Sequence, residues 1–142
     1  KAQPLAEFAE FRRASVENMS RLLNELSGAA VSPQEYERIR NTQPDAGTGI
    51  ADGDDPITFQ AKMKGVVRDQ KRAIARFNYL RMHGPQGKNP WVVMGLEEID
   101  KVIERRGAEL NQEIRQANPQ ANPAVIQKDV DARLAKEFGL AI

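Results

Sequence analysis

A chain of 142 residues, 40% apolar and 29% charged, has the size of one domain with a modest core. Its net charge of +1 excludes a global electrostatic pull toward nucleic acid or membrane, and the absence of cysteine excludes disulfides and thiolate metal sites. This balance suits exposed helices or a subunit of a larger assembly better than a thick-cored enzyme. No apolar run approaches the roughly 20 residues a membrane span requires, and no signal-peptide core stands at the N-terminus. The first residue is Lys1 rather than Met, which points to a processed product or a piece of a longer chain.

Helical periodicity opens the chain. Leu5, Phe8, Phe11, Val16, Met19, Leu22, Leu23 and Leu26 recur mostly at three- and four-residue steps, predicting a helix from about Pro4 to Ser27 that Gly28 stops. Ser32-Pro33-Gln34-Glu35 reads as a capping box with Pro at the first helical position. A short helix should follow to about Asn41, burying Tyr36 and Ile39. Residues 42–55 then form a loop rich in Gly, Asp, Pro and Thr, long enough to expect a function, mobility or a partner that pins it.

Asp52-Gly53-Asp54-Asp55-Pro56 ends that loop, and Asp55 is placed to cap a helix with Pro56 at its first position. The predicted helix runs from Pro56 to His83, about 42 Å of continuous rod. Its apolar stripe is Phe59, Met63, Val66, Val67, Ala73, Ile74, Phe77 and Leu80. Lys64, Arg68, Lys71, Arg72 and Arg76 fall on the opposite side at about 100° per residue. Beyond the turn at 84–90, Trp91 to Met94 reads as a short apolar plug. A helix from about Leu96 to Ala117 uses Leu96, Ile99, Val102, Ile103, Leu110 and Ile114. Asn118-Pro119 and Asn122-Pro123 break the chain over 118–123, and a last helix from Pro123 to Phe138 presents Val125, Ile126, Val130, Leu134 and Phe138. No alternating run reads as a strand. The expectation is an all-α fold of four to five helices, a single domain arranged as an antiparallel bundle or extended helical hairpins, with no sheet.

Candidate chemistry is sparse. The acidic loop lacks the alternating Asp positions, central Gly and terminal Glu of an EF-hand, so capping and solubility explain it better than a cation. Asp45 followed by Asp69 and Lys71 superficially matches a nuclease pattern, but Asp69 and Lys71 lie two apart in a helix and face different ways. His83 is the only histidine and has no evident relay partners; a helix C-terminus is a favourable place for a positive ring. Glu97-Glu98 are adjacent and diverge, in a first helical turn that prefers acids. The reading is of no catalytic residue, no cofactor and no metal site.

The basic side of the long helix is the strongest functional candidate. Residues 62–88 carry Lys62, Lys64, Arg68, Lys71, Arg72, Arg76, Arg81 and Lys88 against Asp69 alone, while residues 45–55 are acidic. Lys64, Arg68, Lys71, Arg72 and Arg76 form a candidate face for an anionic partner, either DNA or an acidic subunit. Phe59 and Phe77 lie on the core side, so no aromatic platform for bases accompanies it. The plainer reading is a solvated face, or one paired with the acids Glu97, Glu98, Asp100 and Glu104.

Four stretches carry a family resemblance: Val31-Ser32-Pro33-Gln34-Glu35-Tyr36-Glu37-Arg38-Ile39, Gln43-Pro44-Asp45, Gly53 through Lys64, and Ala73 through Arg81. Together they resemble helical segments of the DNA-ejection (DNA-transfer, internal virion) proteins of tailed phages. The shared shape is a short capped helix, a Pro-containing loop, and an Asp-Pro start to a long helix rich in Lys, Ala and Leu. It covers roughly residues 28–84 and consists of capping signals and helix formers. The resemblance implies a non-enzymatic virion structural protein, present in several copies, that helps the genome out through the tail and across the host envelope. It implies self-association, partners among portal, tail and ejection proteins, DNA nearby, and membrane contact without a spanning segment. It carries over no site residues. A head–tail adaptor or scaffolding protein that binds portal or coat, and a helical DNA-binding regulator, are the other readings.

Overall fold

The computed structural model describes residues 2–47 and 53–140, with side chains from residue 7 onward in the first helix. Asp52 of the acidic loop and the Leu5 side chain of the first stripe therefore lie outside the described residues. Regular structure is helical: α1 (Ala2–Leu26), α2 (Pro33–Asn41), α3 (Pro56–His83), α4 (Pro90–Val93), α5 (Ile99–Ala117) and α6 (Pro123–Glu137), with a 3-10 turn at Leu96–Glu98. Among the described residues the one β-type pairing is an isolated bridge between Ser27 and Val31. The fold is all-α. Helices exceed the expected four to five because Pro90–Val93 closes one turn of its own, Met94 N donating to Pro90 O at 3.0 Å.

The chain forms two compact units, Lys1–Gln70 and Lys71–Ile142, where length alone suggested one domain. The division falls inside α3, which is nonetheless a continuous helix of 28 residues. A boundary within a strong helical pattern leaves no Gly, Pro or composition signal in the sequence.

In the first unit, α1 and α2 meet through a tight corner. Gly28 takes a φ of +83°, its N–H donates to Val31 O at 3.0 Å, and Val31 N returns to Leu26 O at 3.1 Å. A side chain at such a φ is strained, so glycine suits the position. The capping box is present in full: Glu35 N donates to Ser32 Oγ and Ser32 N to Glu35 Oε1, both at 3.0 Å. The core gathers Ala9, Met19, Leu23, Ala30, Val31, Ile39, Phe59 and Val66, all buried. Phe8 meets Phe59 edge-on at 5.9 Å between centroids. Phe11, expected inside, is 52% exposed, because it closes the outer side of that aromatic group and touches Phe8 and Phe59 by one face.

In the second unit, α5 and α6 form an antiparallel hairpin. Leu110, Ile114, Ile126 and Val130 make one buried cluster, with Ala121 and Leu134 packed against it. Gly107 lies opposite Leu134, whose Cδ1 would sit 3.3 Å from an added Cβ, so the two helices approach closely there. A second cluster joins Ala75 of α3 to Ile99 and Phe138, flanked by Tyr79, Met94, Val102 and Ile103. The Trp91–Met94 plug is not a plug. Val92 and Val93 are exposed, Trp91 is half-buried, and Pro90 is the buried member, because a four-residue helix turns only part of its surface inward. Val125 is likewise 62% exposed, at the outer side of the first turn of α6.

Ser32 is buried while its hydroxyl satisfies a helix N–H, so Ser32→Ala should lower stability by about 1–2 kcal/mol. Urea unfolding followed by far-ultraviolet circular dichroism measures this; an unchanged midpoint would show the cap to be energetically idle.

Candidate functional site: the basic side of helix α3

A helix of about 3.6 residues per turn advances roughly 400° over four residues, overshooting a full turn by about 40°. Lys64, Arg68, Arg72 and Arg76 are spaced by four, so the series winds slowly around the rod instead of marking one line. The described structure shows the consequence. Lys64, Arg68 and Lys71 are exposed, and Arg68 Nε lies 3.7 Å from the neighbouring Asp69. Arg72 and Arg76 are turned inward, which corrects the expectation of a single outward cationic face.

Arg72 keeps 15% of its side chain exposed and grips Asp100 at the start of α5. Its Nε donates to both carboxylate oxygens at 3.1 Å and its Nη2 to Oδ2 at 2.6 Å. Of the acidic residues expected to face the basic side, Asp100 is the one in this pairing. Arg76 has no exposed surface, and its Nη1 donates to Met94 O at 2.9 Å. Lys71 to Arg76 is five residues, about 140° of rotation, which carries Arg76 from the solvent side toward α4 and α5. A guanidinium on a long apolar stem can pack its methylenes in a core and still deliver donors to a backbone carbonyl.

The apolar stripe shifts in the same way. Phe59 and Val66 are buried, and Met63 and Val67 are half-buried, as the spacing predicts. In the second unit, Ala73 and Ala75 are fully buried, whereas Ile74, Phe77 and Leu80 are half-buried. Ala75 packs with Ile99 and Phe138, and Asn78 Nδ2 donates to Phe138 O at 3.1 Å, so that unit covers the Ala75 side of the helix.

The acidic loop is built as a clasp. Asp54 N donates to Asp45 O at 3.0 Å, and Asp45 N donates back to Asp54 Oδ2 at 2.7 Å. Asp45 Oδ1 accepts from Gly47 N at 2.8 Å, and Lys62 Nζ reaches both Asp54 oxygens at 3.1 and 3.0 Å. Arg12 of α1, buried and lying 4.9 Å over the Phe8 ring, donates from Nη1 to Asp54 O at 2.8 Å. The base of the loop is thus held by α1 and α3 of its own chain, where a pinning partner was one expectation. Gly53, at φ +89°, is hemmed in by Arg12 Nη1, Gly47 N and Asp45 O, with no space for a Cβ. Asp55 caps α3 as predicted, accepting from Thr58 N and Thr58 Oγ1 at 2.9 Å each.

Arg12 and Gln70 escaped the sequence reading. Gln70 is 3% exposed and donates from Nε2 to Met19 O at 2.9 Å. A signal existed for both: Arg12 falls between Phe8 and Val16, and Gln70 between Val66 and Ala73, each in step with an apolar stripe. A long polar side chain at a stripe position points to a buried donor.

His83 stacks obliquely on Tyr79, ring centroids 4.9 Å apart, beside a cleft lined also by Arg105, Arg106, Glu109, Glu137 and Phe138. Both carboxylates of that cleft are engaged by Arg106, whose Nε lies 3.0 Å from Glu137 Oε1 and whose Nη1 lies 3.2 Å from Glu109 Oε2. The Glu137 contact, ahead of Glu109, raises the Arg106 pKa further above its already high value. Among the described residues no three His, Cys, Asp or Glu side chains converge to hold a metal ion.

The clasp has a pH signature. Hydrogen bonding from the Asp45 amide, then from Lys62, holds the Asp54 carboxyl below its ordinary value, and the Thr58 amide and hydroxyl do the same for Asp55. A carboxylate lowered on folding contributes stability above its unfolded value, near 4, and loses it as pH falls through the lower folded value. Below about pH 4, the protection of the Asp45 and Thr58 amides against hydrogen exchange, relative to their intrinsic rates, should therefore fall ahead of that in the helix cores. Equal loss of protection everywhere would contradict a local clasp.

Arg76→Ala should destabilise by about 3 kcal/mol, since it removes a charged donor from Met94 O and leaves a void where a fully buried side chain stood, whereas Arg68→Ser should stay within about 0.5 kcal/mol. Denaturant titration of the two variants side by side measures the difference. No known family, curated protein or solved structure matches this chain.

Proposed function

We propose that this protein is a non-enzymatic structural component of a tailed-phage particle that assists genome ejection through the tail and the host envelope. The observation that carries the reading is the resemblance over residues 28–84. The elements in which it consists are a capped short helix, a Pro-containing loop and an Asp-capped long helix, here α2, the clasped loop and α3. Their polar groups are spent on capping and clasping, as in a part whose work is to hold shape. In this role the protein acts as a homo-oligomer in contact with portal, tail or other ejection proteins, resides in the virion, and uses no cofactor. No helix of the described residues is long and apolar enough to cross a membrane.

The burial of Arg72 and Arg76 bears on the choice between readings. A DNA-binding regulator would need the whole basic series free for phosphates, and these two arginines are committed to Asp100 and Met94 O. Lys64, Arg68 and Lys71 remain outward, a patch suited to an acidic subunit or to DNA passing nearby. A head–tail adaptor or scaffolding role shares the same setting and differs in stoichiometry.

Mass spectrometry of intact purified particles is the direct test. The expected result is this chain, with its true ends, in several copies per particle. A fixed ring number would favour the adaptor, and recovery solely as a free cytoplasmic monomer would overturn the virion assignment. If DNA binding were the activity, Lys64→Ser, Arg68→Ser and Lys71→Ser together would abolish a salt-sensitive affinity for duplex DNA.

A further inference from the structure

From Gln70 through Leu96 the chain contains no acidic residue. Within that window, the turn after α3 combines exposed cations with exposed apolar side chains. Arg81 and Lys88 are exposed. Met82 is 69%, Val92 64% and Val93 39% exposed, and Trp91 beside them is half-buried. Arg76 donates to Met94 O at 2.9 Å, so the segment that follows α3 folds back as far as Arg76, and residues 81–93 form one continuous turn.

Single exposed apolar side chains are ordinary, but Val92 and Val93 are adjacent and stand in the same turn as exposed Met82, Arg81 and Lys88. A protein partner normally buries about 800 Å² on each side, more than one helix end and a four-residue helix supply. Duplex DNA would meet the cations but leave Met82, Val92 and Val93 against phosphates. A lipid surface matches both halves of the chemistry. It accepts a small protrusion without shape complementarity, takes apolar tips into the headgroup–acyl boundary, and offers phosphates to Lys and Arg. An amphipathic Trp alongside suits that boundary.

We propose that the turn Arg81–Val93 is a shallow anchor for an anionic membrane surface. Met82, Val92 and Val93 enter the interface, while Arg81 and Lys88 bind lipid phosphates. The proposal deepens the envelope step of the proposed function and rests on that reading for its setting; the binding itself is a property of the purified chain.

The test uses the full chain with vesicles of phosphatidylcholine alone and of phosphatidylcholine mixed with phosphatidylglycerol. Trp91 is the one tryptophan, so its emission reports on this turn without a label. The expected result is a blue shift and co-sedimentation with the anionic vesicles, weakened by salt. Arg81→Ser with Lys88→Ser should reduce the anionic partition at least about tenfold. Val92→Ser with Val93→Ser should reduce it by a similar factor with the circular dichroism spectrum unchanged. Arg13→Ser with Arg38→Ser, two exposed cations of the other unit, should leave it intact. Absence of vesicle binding by the unaltered chain, or equal binding by all variants, overturns the anchor. So does loss of self-association in the valine variant without loss of lipid binding, which would make the patch a protein contact. Failure here with the chain still found in particles removes the anchor and leaves the virion role standing.

Discussion

A backbone carbonyl that leaves regular structure and is partly shielded from water needs a donor from somewhere else, and in this protein long polar side chains supply it. In the first unit, Arg12 reaches Asp54 O and thereby fixes the end of the loop that precedes α3. In the second, Arg76 reaches Met94 O and fixes the return of the chain after α3. Gln70, buried within the first unit, adds a donor to a carbonyl inside a helix, Met19 O of α1, and so ties α1 to the first half of α3. Remove these donors and the segments flanking the long helix lose what defines their paths.

Helix α3 is the element on which both arrangements depend. It spans Pro56–His83, and each unit includes part of it in its own core. The first half buries Phe59, Val66 and Gln70; the second buries Ala73, Ala75 and Arg76. A basic series that winds about 40° per four-residue step meets solvent at Lys64 and Arg68 and protein at Arg72 and Arg76. The same residue type thus performs two jobs: surface charge early in the helix, and internal bonding later.

This division of labour shapes the functional reading. Charge that looked available for an anionic partner is in part internal structure, and the base of the loop that looked ready for a pinning partner is clasped by Lys62 and Arg12. What remains outward is a small cationic patch on α3 and an apolar, cationic turn at its end. Both are the surfaces on which the proposed role would draw.

Much of the fold was legible because it is written in local chemistry. Ser32 and Glu35 start α2, Asp55 and Pro56 start α3, Gly28 turns the first corner, and the Asn-Pro pair at 122–123 opens α6; each acts within a few residues of itself. Such signals determine where helices begin and end, and they suffice for an all-α assignment. Periodicity likewise determined that Phe59 and Val66 belong to a core. Sequence by itself could not determine which side of the second half of α3 is covered, because that depends on where α5 and Phe138 arrive from elsewhere in the chain. Nor could it separate Arg68 from Arg76, or an exposed Val92 from a buried plug. Those outcomes belong to the tertiary structure, since burial is a property of the neighbours a residue acquires and not of the residue.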